Sequence, residues 1–317
     1  MTGRHGGVVS VMDIGGTHVT AANVDIDTHS VIPGQCLRAP LDSGGSAEEI
    51  VSALARCARR LATPARRWSI AIPGPFDYER GIGRFEGVGK FDALRGVDLR
   101  AALTPHLPGA AAVGFHNDAD AFAFGEWWAG AARGHRTVVA ITLGTGVGSC
   151  FLRDGRSVRH GGAVPPDGRV DLLSHEGKPL EDTLSRRALR RVYAHATGEP
   201  SALDVREIAQ RARHGDRTAS TVLTQAVRAL GTVLGPWLAA FEPTILVVGG
   251  SIAASWDLIA EPLCTALADT LPTRTGPIAV QPAQLLAEAP LLGAAYLDLA
   301  TATHAHLSPG PQEAPIP

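Results

Sequence analysis

Cysteine and lysine are both scarce in this chain. Its 317 residues include four cysteines, Cys36, Cys57, Cys150 and Cys264, with no C-x-x-C pair and no metal-ligand spacing among them. That excludes a disulfide framework, and the four read as small buried residues of a reducing compartment. Lys90 and Lys178 are the only lysines, so arginine carries nearly all the positive charge. The formal net charge of −2 leaves no electrostatic footprint for nucleic acid. No apolar run approaches the ~20 residues of a membrane span, and the N-terminus lacks a signal-peptide apolar region. A cytoplasmic protein with neither a nucleic-acid nor a membrane partner is expected. What the chain does have is length and turns: 45% hydrophobic residues, 36 glycines and 22 prolines suit two globular domains, each with a substantial core.

Val8 to Val11 is a β-branched run ending in Asp13-Ile14-Gly15-Gly16-Thr17, and a second strand, His18 to Val24, follows at once. The glycines therefore sit in a hairpin, whereas the P-loop and dinucleotide fingerprints require a helix after them. A glycine hairpin lets backbone N–H groups approach an anion closely, and Thr17 adds a hydroxyl. Asp13 could hold a hydrated Mg²⁺ beside such an anion; an ordinary Gly-Gly β-turn is the plainer reading. The same unit recurs about 130 residues on. Thr137 to Thr142 reads as a strand, Leu143-Gly144-Thr145-Gly146-Val147-Gly148-Ser149 as the glycine turn, and Cys150 to Leu152 as the returning strand. Two related halves are implied.

Between them lies Phe115-His116-Asn117-Asp118, a strand end ahead of a helix expected over Phe122 to Ala132. Either Asn117 or Asp118 caps that helix, or Asn117 grips a substrate hydroxyl while Asp118 accepts its proton. Ser46-Ala47-Glu48-Glu49 opens a helix with a capping box, its buried face at Ile50, Leu54, Cys57 and Leu61. The Trp68 to Ile72 strand runs into Pro73-Gly74-Pro75, a rigid turn that either lines a pocket or reverses the chain. Residues 79–95 read as a long excursion of the kind that is often functional, and 157–178 show little periodicity. A helix starts near Ser185, one or two more fill 202–240, and Ile245 to Val248 is a buried strand ending in Gly249-Gly250. A helix after those glycines would make the arrangement that receives a nucleotide. Pro290 to Ala300 is the last helix, and 306–317 reads as a proline-rich disordered tail.

Taken in order, these motifs resemble the ROK family of sugar kinases and sugar-responsive repressors. Asp13 to Thr17 resembles its first phosphate motif, Leu143-Gly144-Thr145-Gly146 its second, Asn117-Asp118 its sugar-binding and base pair, and Gly249-Gly250 its adenosine motif. Ala289 to Ala295 is similar to the start of the family's C-terminal helix. The resemblance spans about residues 8–300. It implies a two-domain, actin-like (ribonuclease H-like) α/β ATPase fold with an interdomain cleft. The small domain would be 1–118 completed by helix 290–305, the large one 119–289. It further implies ATP and Mg²⁺ as cofactors, a hexose substrate, Asp118 as the base for a 6-hydroxyl, and a homodimer.

Two departures stand out. Residues 160–181 contain no cysteine, so the family's structural zinc site is expected to be absent. Glu181 still resembles the glutamate that closes that cysteine box and contacts the sugar. His175 and Glu176 are candidates for the family's Glu-x-Gly-His element, with an ordinary surface loop the alternative. The family's sugar-contacting asparagine has no equivalent in Gly87-Val88-Gly89-Lys90-Phe91. Because Asp167, Asp171, Glu176 and Glu181 outnumber Arg169 and Lys178, an amino sugar such as kanosamine or glucosamine stands beside glucose as acceptor. A repressor is not expected, since seven residues before Val8 cannot hold a helix-turn-helix. A non-catalytic sugar or nucleotide sensor on the same scaffold is the rival reading.

Overall fold

The computed structural model describes residues 7–198, 203–272 and 276–307, with side chains to residue 301. The chain divides into two compact units, 1–125 with 290–317, and 126–289.

The first unit is built on a five-stranded sheet. Its strands are β1 (Val8–Ile14), β2 (His18–Asp25), β3 (Ser30–Pro40), β4 (Arg67–Ile72) and β7 (Ala112–Asn117), in the order β3-β2-β1-β4-β7. β1 pairs antiparallel with β2 across the glycine turn and parallel with β4, which is in turn parallel to β7. The register sets Asp13 opposite Ala71, Ala71 opposite His116, and Ile72 opposite Asn117. The three parallel strands thus end together, delivering the Gly15-Gly16 turn, the Pro73-Gly74 turn and Asn117-Asp118 to one edge of the sheet.

Helix α1 (Ala47–Ala58) starts at the expected box: Ser46 Oγ accepts the Glu49 N–H at 3.2 Å, and Glu49 Oε2 accepts the Ser46 N–H at 2.8 Å. It buries Ile50, Leu54 and Cys57, while Leu61 is buried just beyond its end. The 79–95 excursion is anchored. Two short strands, β5 (Phe76–Asp77) and β6 (Ile82–Gly83), pair antiparallel, and Phe85 and Phe91 are fully buried with ring centroids 5.4 Å apart. Glycine at 83 is required because a Cβ would collide with the Leu94 carbonyl. Helix α2 (Leu99–Leu103) is capped by Asp98.

Helix α3 (Asp118–Ala129) begins four residues before the expected Phe122. The C-terminal helix, Ala289–Leu307, closes the unit from the far end of the sequence. Ser69 Oγ donates to the Ala294 carbonyl at 2.6 Å, and Arg67 pairs with Asp298 at 2.6 Å. Gly293 lies so close to the Ala121 carbonyl of α3 that no side chain fits. Residues 306 and 307 of the expected tail belong to this helix, and 308–317 lie outside the described residues.

The second unit repeats the plan. Strands β8 (Thr137–Leu143), β9 (Val147–Arg153), β10 (Arg156–Ser157), β13 (Ile245–Gly249) and β14 (Ala279–Pro282) are ordered β10-β9-β8-β13-β14. β8 is antiparallel to β9 across the second glycine turn and parallel to β13, itself parallel to β14. Strand for strand this is the topology of the first unit, so the implied repeat is present in three dimensions. Between β10 and β13 come the small hairpin β11 (Ser174–His175) and β12 (Lys178–Pro179), then α4 (Glu181–Leu184) and α5 (Arg186–Thr197), the latter capped by Ser185. Two helices, α6 (Val205–Arg213) and α7 (Arg217–Phe241), lie where one or two were expected, and α8 (Trp256–Thr270) follows β13. Gly231 and Gly235 let α7 approach Ala266 and Thr270 of α8 closely. No described helix is long and apolar enough to cross a membrane.

Candidate functional site

In the first unit, the candidate residues gather at the carboxyl ends of the parallel strands. The Gly15 N–H donates to the His18 carbonyl at 2.9 Å, closing the turn. Neither Gly15 nor Gly16 has a positive φ, so glycine here supplies room for a close backbone approach and no special conformation. Thr17 is exposed at the tip, its hydroxyl 2.8 Å from His18 Nδ1.

The cap-or-base question at Asn117-Asp118 divides between the two residues. Asn117 Oδ1 accepts the N–H groups of Ala119 and Asp120, both at 3.1 Å, which is capping geometry. Asp118 is the first helical residue, and its Oδ1 accepts the Ala119 N–H at 2.9 Å. Burial raises the Asp118 pKa, opposed by the Lys90 ammonium and the Ala119 N–H. A carboxylate held above its ordinary range is a stronger proton acceptor while it remains ionised. Asp13 is pushed up to about 7, first by burial and then by the charge of Asp118, with Arg38 pulling the other way.

This pair of carboxylates, one raising the other, is a hard-oxygen set that suits a hydrated Mg²⁺. Among the described residues no group of three or more His, Cys, Asp or Glu is assembled for a metal.

Tyr78 belongs to the same cluster and carried no signal in the sequence. Its hydroxyl accepts from Asn117 Nδ2 at 2.9 Å and lies 3.3 Å from the Ile72 carbonyl. Gly74 sits beneath it, where an added Cβ would come within 3.3 Å of that hydroxyl.

The second unit assembles its own set. The Gly144 N–H donates to the Gly146 carbonyl at 3.0 Å, and the Gly144 carbonyl accepts the Arg186 N–H at 2.8 Å. Glu181 Oε2 accepts the Val147 N–H at 3.2 Å, and a Cβ on Gly146 would come within 2.7 Å of that same oxygen. Glu181 and the Thr145 turn therefore form one structure. On the other side, a Cβ on Gly144 would lie 3.5 Å from Ser251 Oγ, a residue that sequence reasoning passed over. Gly250 has φ 88° with the Leu143 backbone pressed against its α-carbon, so only glycine fits. The helix expected after Gly249-Gly250 is α8, which begins at Trp256 behind a 3₁₀ turn, Ala253–Ser255.

The 160–181 segment is held without cysteine. Ser149 Oγ donates to the Gly168 carbonyl at 2.6 Å and accepts the Val170 N–H at 3.0 Å, while Val164, Val170 and Leu180 are buried in the core. Arg169 is bonded to Asp171, and the charges of Asp171, Glu181 and Asp167 add to the rise in its pKa. His175 and Glu176 line a cavity of about 530 Å³ with residues of α5 and α7.

The sequence profile of the ROK family matches residues 9–301. The chain belongs to the ROK family. A glucokinase of Thermotoga maritima is 33% identical over 251 residues, 72% of this chain and 77% of that protein. An N-acetyl-D-glucosamine kinase of Pectobacterium carotovorum subsp. carotovorum is 31% identical over 208 residues, 60% of this chain and 66% of that one. Among solved structures, a ROK family glucokinase from Streptomyces griseus in complex with glucose and AMPPNP superposes with a TM-score of 0.75 at 27% identity, covering 92% of this chain and 99% of the other. The fold is thus the actin-like α/β ATPase class shared by ROK proteins, with the strand–glycine turn–strand unit present once in each half.

Proposed function

We propose that this ROK protein is an ATP-dependent hexose kinase that phosphorylates the 6-hydroxyl of a glucose-type sugar. Asp118 accepts the hydroxyl proton as the sugar oxygen bonds to the γ-phosphorus, and the bond from that phosphorus to ADP breaks. The observation that carries this reading is the division of labour at the start of α3. Asn117 supplies the cap, so the Asp118 carboxylate, raised by burial, is available to a substrate. Phosphoryl transfer asks mainly for positioning and charge neutralisation. The Gly15-Gly16-Thr17 and Gly144-Thr145-Gly146 turns are suited to hold phosphates, Gly249-Gly250 the adenosine, and Glu181 the sugar. Asp13 would hold Mg²⁺ through water, and that ion, when bound, neutralises phosphate charge. The glucokinase and N-acetylglucosamine kinase relatives support a hexose of this stereochemical class. Arg169, already among Asp167, Asp171 and Glu181, favours a neutral sugar over an ammonium-bearing one such as kanosamine or glucosamine.

ADP release measured against glucose, mannose, N-acetylated and free amino sugars, with the product's phosphate located by NMR, tests both halves. A 6-phosphate made from a neutral hexose is expected. Sugar binding without sugar-dependent ADP release would favour the sensor, and a kcat/KM for an amino sugar above that for glucose would overturn the neutral-acceptor reading.

A further inference from the structure

The Tyr78 hydroxyl stands where strands β4 and β7 end side by side, since Ile72 and Asn117 are register partners. It lies 3.3 Å from the Ile72 carbonyl and 2.9 Å from Asn117 Nδ2. A carbonyl can only accept, so the Tyr78 proton points to Ile72 and the Tyr78 oxygen is left to accept. Its partner on Asn117 must then be the NH₂ end of the amide. The carbonyl end faces the Ala119 and Asp120 N–H groups, two further obligate donors. Every neighbour of this amide thus has fixed hydrogen-bond polarity, and one orientation satisfies them all. Asn117 Nδ2 carries a second hydrogen, for which no bond is made among the described residues.

We propose that Tyr78 is a positioning residue that locks Asn117 as a donor toward the sugar, so that the hydroxyl it meets must act as acceptor. That leaves the hydroxyl's own proton free to point elsewhere, with the Asp118 carboxylate next in the chain. A bare asparagine at a strand end could turn its amide and present either group; here the Ala119 and Asp120 N–H groups hold the oxygen end, and the strand-end carbonyl, relayed through Tyr78, holds and aims the NH₂ end. Gly74 is part of the device because a side chain there would press on the Tyr78 hydroxyl. The inference rests on the hexose-kinase reading, since it needs a sugar at Asn117.

Tyr78→Phe removes the hydroxyl and keeps the ring, which packs 5.4 Å from Phe76. The hexose KM should rise about tenfold, the size expected when a hydrogen bond to a buried polar group is lost, while the KM for ATP and the melting temperature stay nearly constant. A merely structural role would shift both substrates together. Monodeoxy and monofluoro glucoses add a sharper readout, because C–F can accept a hydrogen bond and cannot donate one. At the position facing Asn117, the wild-type protein should bind the fluoro sugar better than the deoxy sugar by calorimetry, and Tyr78→Phe should shrink that difference several-fold. Gly74→Ala should raise the hexose KM in the same sense. An active wild-type kinase whose hexose KM and fluoro/deoxy contrast are indifferent to Tyr78→Phe would overturn this inference alone. A wild-type protein that neither binds nor phosphorylates any hexose would overturn it together with the kinase reading.

Discussion

Replacing Asp118 by Asn should separate activity from stability, and the structure says by how much. The helix cap belongs to Asn117, whose Oδ1 takes the Ala119 and Asp120 N–H groups, so the substitution leaves it in place. What is lost is a negative charge in the first turn of α3, about 0.3–1 kcal/mol. What is relieved is a carboxylate disfavoured by burial, and its repulsion of Asp13. These act in opposite directions, so the net change in folding free energy should stay within about 1 kcal/mol, or a melting shift of roughly 2–4 °C. Turnover, by contrast, should fall by about 10²-fold or more with the base removed. Asn117→Ala makes the complementary case: its cap is worth about 1 kcal/mol, so it should cost stability and hexose affinity together. The assays are urea unfolding followed by circular dichroism, and coupled ADP release at saturating ATP. An Asp118→Asn protein that is folded and turns over hexose within a few-fold of wild type would refute the assignment of the base. One destabilised by several kcal/mol would show that the cap has been placed on the wrong residue.

Three further outcomes are expected. His116 is held neutral by burial, its pKa lowered to about 4 against attraction from Asp298 and Asp120. The unfolded chain therefore binds the extra proton between about pH 6.5 and 4, and His116 should cost up to ~3 kcal/mol of stability as the pH falls through that window. Asp13, raised to about 7, pushes the opposite way between its ordinary range and pH 7, so the test is the difference in urea midpoints at pH 7.5 and 5 between wild type and His116→Leu; equal pH dependence would count against it. Gly146→Val, placing carbon against Glu181 Oε2, should weaken ATP binding with hexose binding largely retained; unchanged ATP affinity by calorimetry in a well-folded variant would remove this turn as a phosphate site. Active protein should carry no stoichiometric zinc and should regain full activity when Mg²⁺ alone is restored after chelation; elemental analysis finding one zinc per chain would contradict this.

Much of this architecture was legible because it rests on local signals. The β-branched runs around Asp13, Ile70 and Val247 gave strands, and the Ser46/Glu49 box gave a helix start, because each is decided within a few residues. The duplicated strand–glycine turn–strand unit announced two halves, and both sheets have the same order. The start of α3 at Asp118 was signalled only by the cap reading of Asn117 or Asp118, because Asp118 to Ala121 offers no apolar period; the helix is set by that cap and by Gly293 packing against Ala121. Tyr78 and Ser251 were invisible for another reason. Each stands beside a partner brought there by strand register, with Asn117 lying 39 residues from Tyr78. The acidic count over 160–181 says nothing of placement because it is a property of composition, whereas the bond from Arg169 to Asp171 is a property of the fold.

The C-terminal helix carries a consequence for how the protein comes to exist on the ribosome. The sheet bearing Asp13 and the start of α3 bearing Asp118 are made first, yet the helix that covers them, with Gly293 on Ala121 and Ala294 on Ser69, emerges only after the whole 126–289 unit. During synthesis the Asp118 half must wait, partly uncovered, while its sister half completes. Nascent chains stalled near residue 289 should therefore show a protease-resistant second unit and a sensitive first one, and catalytic competence should arrive abruptly with the last helix.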